Sequence, residues 1–326
     1  MTQINLGTIG SGKIVHCFLN NVMKIDGIRL SAVYSRRTET AKALAAEYGV
    51  NRFYSDIDAL FSDEKVNTIY IATPNLLHYE QAKKALFAGK HVILEKPFTT
   101  KAKHAKELIE IAKERKLFLF DAVPTAFMPN FHALMRELPK IGKVKLVQSN
   151  YSQYSSRYDQ LLAGELPNIF NPSYAGGCLM DINFYNIYMN IALFGKPLDA
   201  IYHPNMYHGI DTSGIAVLQY DGFVSECSGA KDTWGKNFLM IEGEQGYIYV
   251  EGGSSMSCIK VTTKFTEEEI NEQSNTDRWF YEVQSITQML MKADYQTAYQ
   301  KLDVTLDVIE TLEKMRINAG VLFPGD

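Results

Sequence analysis

Cysteine is scarce and scattered in this chain. The 326 residues include four, Cys17, Cys178, Cys227 and Cys258, and none has the short paired spacing of a zinc ribbon or a dithiol redox centre. Reduced thiols in a cytoplasmic protein are expected. An excess of one charge is also missing: 33 Lys and Arg against 37 Asp and Glu leave a net charge of −4. There is no basic footprint for a nucleic-acid backbone. No uninterrupted apolar run approaches a bilayer span, and Met1 to Gly7 lacks the basic region and long apolar stretch of a secretory signal. The seven histidines form no helical pair and no acidic cluster of ligand spacing, so no metal is expected. These absences leave chemistry on a small molecule, with neither nucleic acid nor membrane as partner.

What the sequence does have is an ordinary globular balance, 46% hydrophobic and 21% charged. Its length exceeds that at which a single core stops growing, so two domains are expected. The first third alternates strand-like runs with helical periodicity, the pattern of a parallel sheet covered by helices. Strands are predicted at residues 5–9, 29–34, 68–72, 91–94 and 117–121. Helices are predicted at 38–48, 78–87 and 101–116, the first two ending near Gly49 and Gly89. After Pro124 the texture changes to β-branched and aromatic runs separated by short turns, predicting strands at 144–151, 200–207, 215–220, 223–228, 238–242, 247–250 and 259–263. Asp221-Gly222 predicts a two-residue hairpin. Helices are predicted at 181–194, 277–292 and 299–319.

Gly10-Ser11-Gly12-Lys13-Ile14 joins the first strand to a helix. Gly10 permits a tight turn, and Gly12 lets a pyrophosphate approach the backbone at the helix N-terminus. Val15 stands at the third glycine position of the dinucleotide fingerprint, a position that serves helix packing. The second strand ends Tyr34-Ser35-Arg36-Arg37, without the acidic residue that holds a ribose diol. Ser35 and the two guanidinium forks suit a 2′-phosphate, which predicts NADP over NAD. The same arginines also read as the start of a solvated helix.

Glu95-Lys96-Pro97 after an apolar strand, Thr73-Pro74-Asn75 with His78 after the preceding one, and Gly176-Gly177-Cys178-Leu179-Met180-Asp181 followed by Tyr185 together resemble the Gfo/Idh/MocA family of oxidoreductases. The likeness spans nearly the whole chain. It implies an NAD(P)-binding Rossmann domain with a doubly wound parallel sheet at 1–123. It also implies a substrate-binding and oligomerisation α+β domain at 124–326, with a large, mostly antiparallel, open-faced sheet. By this resemblance Thr73, Pro74, Asn75, His78, Glu95 and Lys96 contact the cofactor, His78 near the nicotinamide ribose, although a structural role for a histidine at a helix start stands beside that reading. Lys96 polarises the reacting oxygen, Tyr185 moves the proton and Asp181 orients or charges the pair. Asp181 and Tyr185 are four apart and would share a helix face, while Asp181 is also a good N-cap and Tyr185 a good core aromatic.

The family reading implies reversible hydride transfer between nicotinamide and a carbinol carbon of a sugar, cyclitol or diol, in a homodimer or homotetramer formed through the second sheet. A non-catalytic nucleotide sensor of the same fold is the competing class. Departures sit near the expected substrate: Asn183 replaces a glycine common in the family, Cys178 the third motif glycine, and Pro124 and Ala126 an aromatic and an arginine. A rebuilt substrate pocket is expected.

Overall fold

The computed structural model describes residues 3–326; Met1 and Thr2 lie outside the described residues. The strands are β1 (Ile4–Ile9), β2 (Ile28–Tyr34), β3 (Phe53–Tyr54), β4 (Thr68–Ile71), β5 (His91–Glu95), β6 (Leu119–Ala122), β7 (Val144–Ser152), β8 (Asp199–Tyr207), β9 (Ile210–Tyr220), β10 (Phe223–Ala230), β11 (Phe238–Gly243), β12 (Gly246–Glu251), β13 (Cys258–Thr263) and β14 (Glu267–Ile270). The helices are α1 (Lys13–Val22), α2 (Thr38–Glu47), α3 (Ile57–Ser62), α4 (His78–Phe87), α5 (Ala102–Glu114), α6 (Pro129–Glu137), α7 (Tyr158–Leu162), α8 (Phe184–Phe194), α9 (Arg278–Lys292) and α10 (Tyr295–Asn318).

By packing, the chain divides into two units. One holds Met1–Pro124 with Trp279–Leu306, the other Thr125–Arg278 with Asp307–Asp326. The sequence suggests a single cut after residue 123, but a late segment returns to the first unit. Its reason is local: Tyr299 donates to the carbonyls of Ala112 and Leu117, and Tyr295 stacks on Phe118 at 4.0 Å.

The first unit is a Rossmann fold, a six-stranded sheet of order β3-β2-β1-β4-β5-β6 with parallel pairs throughout. Helices on both faces leave such strands no wet side, which is why β4, β5 and β6 are buried at every position. Gly49 and Gly89 take positive φ just past α2 and α4, so both helices stop where the glycines predict.

The second unit carries an eight-stranded sheet of order β14-β13-β12-β11-β7-β10-β9-β8, antiparallel except for β7 with β10. Asp221-Gly222 makes the β9–β10 hairpin, with Tyr220 facing Phe223. One sheet face is buried, through residues such as Leu218, Cys227, Val147, Leu239 and Ile248. Helix α8 packs on β7 and β10. Three buried asparagines tie the two layers: Asn183 donates to the Cys227 carbonyl, Asn186 to the Ser228 carbonyl, and Asn190 to Cys227 Sγ at 3.4 Å. No helix among the described residues is long and apolar enough to cross a membrane.

Candidate functional site

The nucleotide half of the site lies in the first unit. Between β1 and α1, Gly10 has φ +122, and a Cβ there would come within 2.4 Å of the Ala72 carbonyl. The buried Val15 closes on the same turn: its Cγ2 would lie 3.3 Å from such a Cβ. This explains why an aliphatic residue is tolerated at the third fingerprint position. Gly12 is the opposite case, since a Cβ there would meet nothing within 4 Å. No side chain caps α1 at Gly12 and no acidic residue sits in its first turn, so the leading amides face open space with the helix's positive end behind them. Ser11, Gly12, Lys13 and Ile14 are all exposed. A pyrophosphate fits this cradle.

At the end of β2 the Ser35 amide donates to the Tyr54 carbonyl of β3. Arg36 and Arg37 follow, exposed and without an ion pair among the described residues; Arg37 precedes α2 and its side chain forms no cap. Both expectations for this pair, an available cationic fork and a solvated helix start, describe the same geometry.

After β4, the Thr73 hydroxyl donates to Gln81 at 2.7 Å, and Asn75 opens a single tight turn behind Pro74. His78, which the resemblance puts near the nicotinamide ribose and its position equally allows as a structural residue, is the first residue of α4. Its ring is fully buried, with Nδ1 3.0 Å from the Pro97 carbonyl and Nε2 2.9 Å from that of Thr73. A neutral ring has one N–H and donates to one of these carbonyls, so the imidazole sits between the loop after β4 and the loop carrying Lys96. Burial holds its pKa below the usual histidine range. Glu95 likewise faces inward, accepting from the Tyr70 hydroxyl at 2.6 Å. Lys96 is half-buried just past the end of β5, and its peptide bond to Pro97 is cis.

The second unit holds Asp181 and Tyr185. Residues Leu179–Asn183 form one wide π turn before α8, so Asp181 does not cap a regular α-helix. The four-residue spacing to Tyr185 crosses from the wider turn into the narrower helix. Asp181 pairs with Lys231, which follows β10 and is 4% exposed. Tyr185 is buried, with its ring 5.8 Å from that of Tyr151 and the Arg278 guanidinium 5.1 Å from its centroid. The turn is shaped by Gly177, at φ +105, where a Cβ would come within 2.0 Å of Asp211 Oδ1. Asp211 Oδ2 accepts from the Leu179 amide and the Tyr202 hydroxyl at 2.7 and 2.8 Å. Burial raises its pKa to about 6, against those hydrogen bonds.

Asn183 fits in place of a glycine because Gly229 of β10 faces it: a Cβ on Gly229 would lie 2.6 Å from the Asn183 Cβ. Lys231 and Arg278 escaped the sequence reading. Each stands alone beside an element end, without a motif to mark it. Among the described residues no cluster of three or more His, Cys, Asp or Glu could hold a metal.

Comparison with known proteins agrees with this layout. The oxidoreductase family GFO/IDH/MocA, with its NAD-binding Rossmann fold, matches residues 4–122, and the family's C-terminal domain matches residues 135–249. The chain is similar to scyllo-inositol 2-dehydrogenase (NADP(+)) of Bacillus subtilis (strain 168), 33% identical over 99% of each chain. It is also similar to the trans-1,2-dihydrobenzene-1,2-diol dehydrogenase of Sus scrofa, 26% identical over 90% of each. The fold matches the 3-ketoreductase KijD10 of Actinomadura kijaniata, solved with NADP and TDP-benzene, with a TM-score of 0.86 at 20% identity over 97% of each chain. This chain belongs to the GFO/IDH/MocA oxidoreductase family.

Proposed function

We propose that this chain is an NADP-dependent dehydrogenase or reductase acting on a CH–OH or C=O carbon of a cyclitol, sugar or related diol. The observation that carries the reading is the exposed Arg36–Arg37 at the end of β2, without an ion pair among the described residues, on a fold whose first turn is open at Gly12. A ribose 2′-phosphate offers the charge those guanidinium groups lack. The relatives named as NADP-dependent support it.

When bound, the nicotinamide supplies or takes up the hydride. The protein's own tasks are the oxygen and the proton. Lys96 directs an ammonium to the substrate oxygen and stabilises the negative charge that develops there. Tyr185 passes the proton through its phenol, and Asp181, fixed by Lys231, orients the substrate hydroxyls. His78 holds the Lys96 loop in register. The uncovered face of the eight-stranded sheet, with exposed Ile201, Ile215 and Val224 on adjacent strands, is proposed as the surface on which copies pair. A single monomeric boundary in sedimentation would overturn that.

The experiment is a panel of scyllo-inositol, D-xylose and a trans-dihydrodiol with NADP+ and NAD+, followed at the nicotinamide absorbance. Turnover on at least one, and a roughly 100- to 1,000-fold loss of kcat in Lys96→Ala with NADP+ binding retained, are expected. Tight NADPH binding without turnover across the panel would favour a nucleotide sensor.

A further inference from the structure

A small polar layer is buried where β4, β5 and β6 end. Tyr70 of β4 donates to Glu95 of β5. Beside them Asp121 of β6, in register with Leu94, is buried with only 8% of its surface exposed. Asp121 Oδ2 lies 3.1 Å from the Thr305 hydroxyl of α10, while Oδ1 has no hydrogen-bond partner among the described residues. Thr305 Oγ1 is also 3.3 Å from the Lys301 carbonyl. A hydroxyl has one proton to give. If Asp121 were ionised, that proton would be the only one available to a buried charge, and Lys301 would compete for it. If Asp121 is protonated, it donates to Thr305, Thr305 donates to Lys301, and every hydrogen has an acceptor.

Asp121 pairs with Leu94 and Ala122 with Glu95, so Lys96 follows directly on the strand end beside Asp121; the charges of Glu95 and Lys96 act on its carboxyl with opposite signs, and from α10 its hydrogen-bond partner is the neutral Thr305. Tyr70 donates to Glu95, and the ring of His78 at the start of α4 lies against the carbonyl of Pro97, the residue after Lys96. Burial outweighs the rest and pushes the Asp121 carboxyl up to about 8.

We propose that Asp121 is a positioning residue for Lys96: a carboxyl kept protonated in the neutral-pH enzyme, whose ionisation in mild alkali draws on the Lys96 ammonium and weakens its hold on the substrate oxygen. In that step the Oδ2 proton leaves to solvent and the negative charge stays on Asp121. The inference rests on the reading of Lys96 given under Proposed function.

The test uses the full chain labelled with 13C at lysine Cε, titrated by NMR from about pH 6 to about pH 10. The Lys96 resonance is assigned by its loss in Lys96→Ala. An inflection near about 8 is expected in the wild type and its absence in Asp121→Asn, which cannot ionise. An inflection in both proteins, or in neither, overturns the proposal. Should the Asn variant not fold, Thr305→Val replaces it: losing a hydrogen bond that is stronger to the anion moves the inflection to higher pH, and an unmoved inflection is fatal. With scyllo-inositol and NADP+, the wild-type kcat falls about tenfold between pH 7 and pH 9 if the ionised form is inactive, with KM unchanged. In Asp121→Asn that ratio is severalfold closer to one. The resonance needs no turnover, so an active Lys96→Ala enzyme would remove the catalytic reading of Lys96 without disturbing the test of the Asp121 proton.

Discussion

Lys231 donates to the carboxylate of Asp181 from a position where the lysine keeps 4% of its side-chain surface in water and the aspartate 25%. The partner of the conspicuous motif residue is thus a residue without a motif. Removing one side of a buried pair strands the other charge and costs about 3–5 kcal/mol, less here because Asp181 is partly solvated. Lys231→Met is expected to lower both melting temperature and kcat, the latter at least about tenfold. Adding Asp181→Asn should recover part of the stability, a non-additivity that a double-mutant cycle in urea reads directly. Strict additivity would show that the pair does not matter.

The two glycines of the first turn separate stability from binding. Gly10→Ala forces a side chain into positive φ and against the Ala72 carbonyl, so the fold should weaken by about 1–3 kcal/mol or more. Gly12→Ala meets no protein atom. Its unfolding midpoint should stay within a degree or two of wild type while NADP+ affinity falls, as calorimetric titration would show. A Gly12→Ala protein that bound NADP+ normally would place the pyrophosphate elsewhere.

Arg36 and Arg37 should discriminate between cofactors. A charge-assisted hydrogen bond contributes about 1.5–3 kcal/mol, so replacing both with alanine should raise KM for NADP+ roughly 10- to 100-fold and leave KM for NAD+ nearly unchanged. Salt should weaken NADP+ binding more than NAD+ binding in the wild type. Equal losses for the two cofactors would mean that the arginines only start a solvated helix.

His91 sets an acid limit on stability. Its Nδ1 accepts from the Phe118 amide at 3.0 Å, which requires a neutral ring, and burial lowers its pKa to about 4. The unfolded chain takes up the proton near pH 6.5 and the folded chain only near 4. Stability is therefore full above about pH 6.5 and lost as pH falls through that window, by about 3 kcal/mol in total. In His91→Asn the slope of urea stability between pH 6.5 and 4 should flatten; an unchanged slope would assign it to other groups.

Much of the fold was legible because its signals are local. The helix at 78–87 starts and stops as its alanine periodicity and Gly89 indicate, and the Asp221-Gly222 hairpin forms where the turn pair stands. What escaped depends on partners distant in sequence. Glu267–Ile270 has a strand-averse run of glutamates, yet it pairs with β13 as a sheet edge where Lys260 meets Glu269. The π turn at Asp181 follows from Asp211 gripping the Leu179 amide, thirty-two residues away in sequence. Asn183 reads as a departure from the family until Gly229 is seen across from it. For the candidate site, the burial of His78 between the Pro97 and Thr73 carbonyls could not be read from its place at a helix start, because Pro97 lies nineteen residues away in sequence.

The return of Trp279–Leu306 to the first unit has a consequence for biosynthesis. A ribosome finishes residue 124 long before it reaches 306, and at about 5–20 residues per second the interval is on the order of ten seconds or more. Throughout that delay Phe118 waits for Tyr295 and Asp121 for Thr305. The nucleotide-binding half is thus the first to emerge and among the last to be completed.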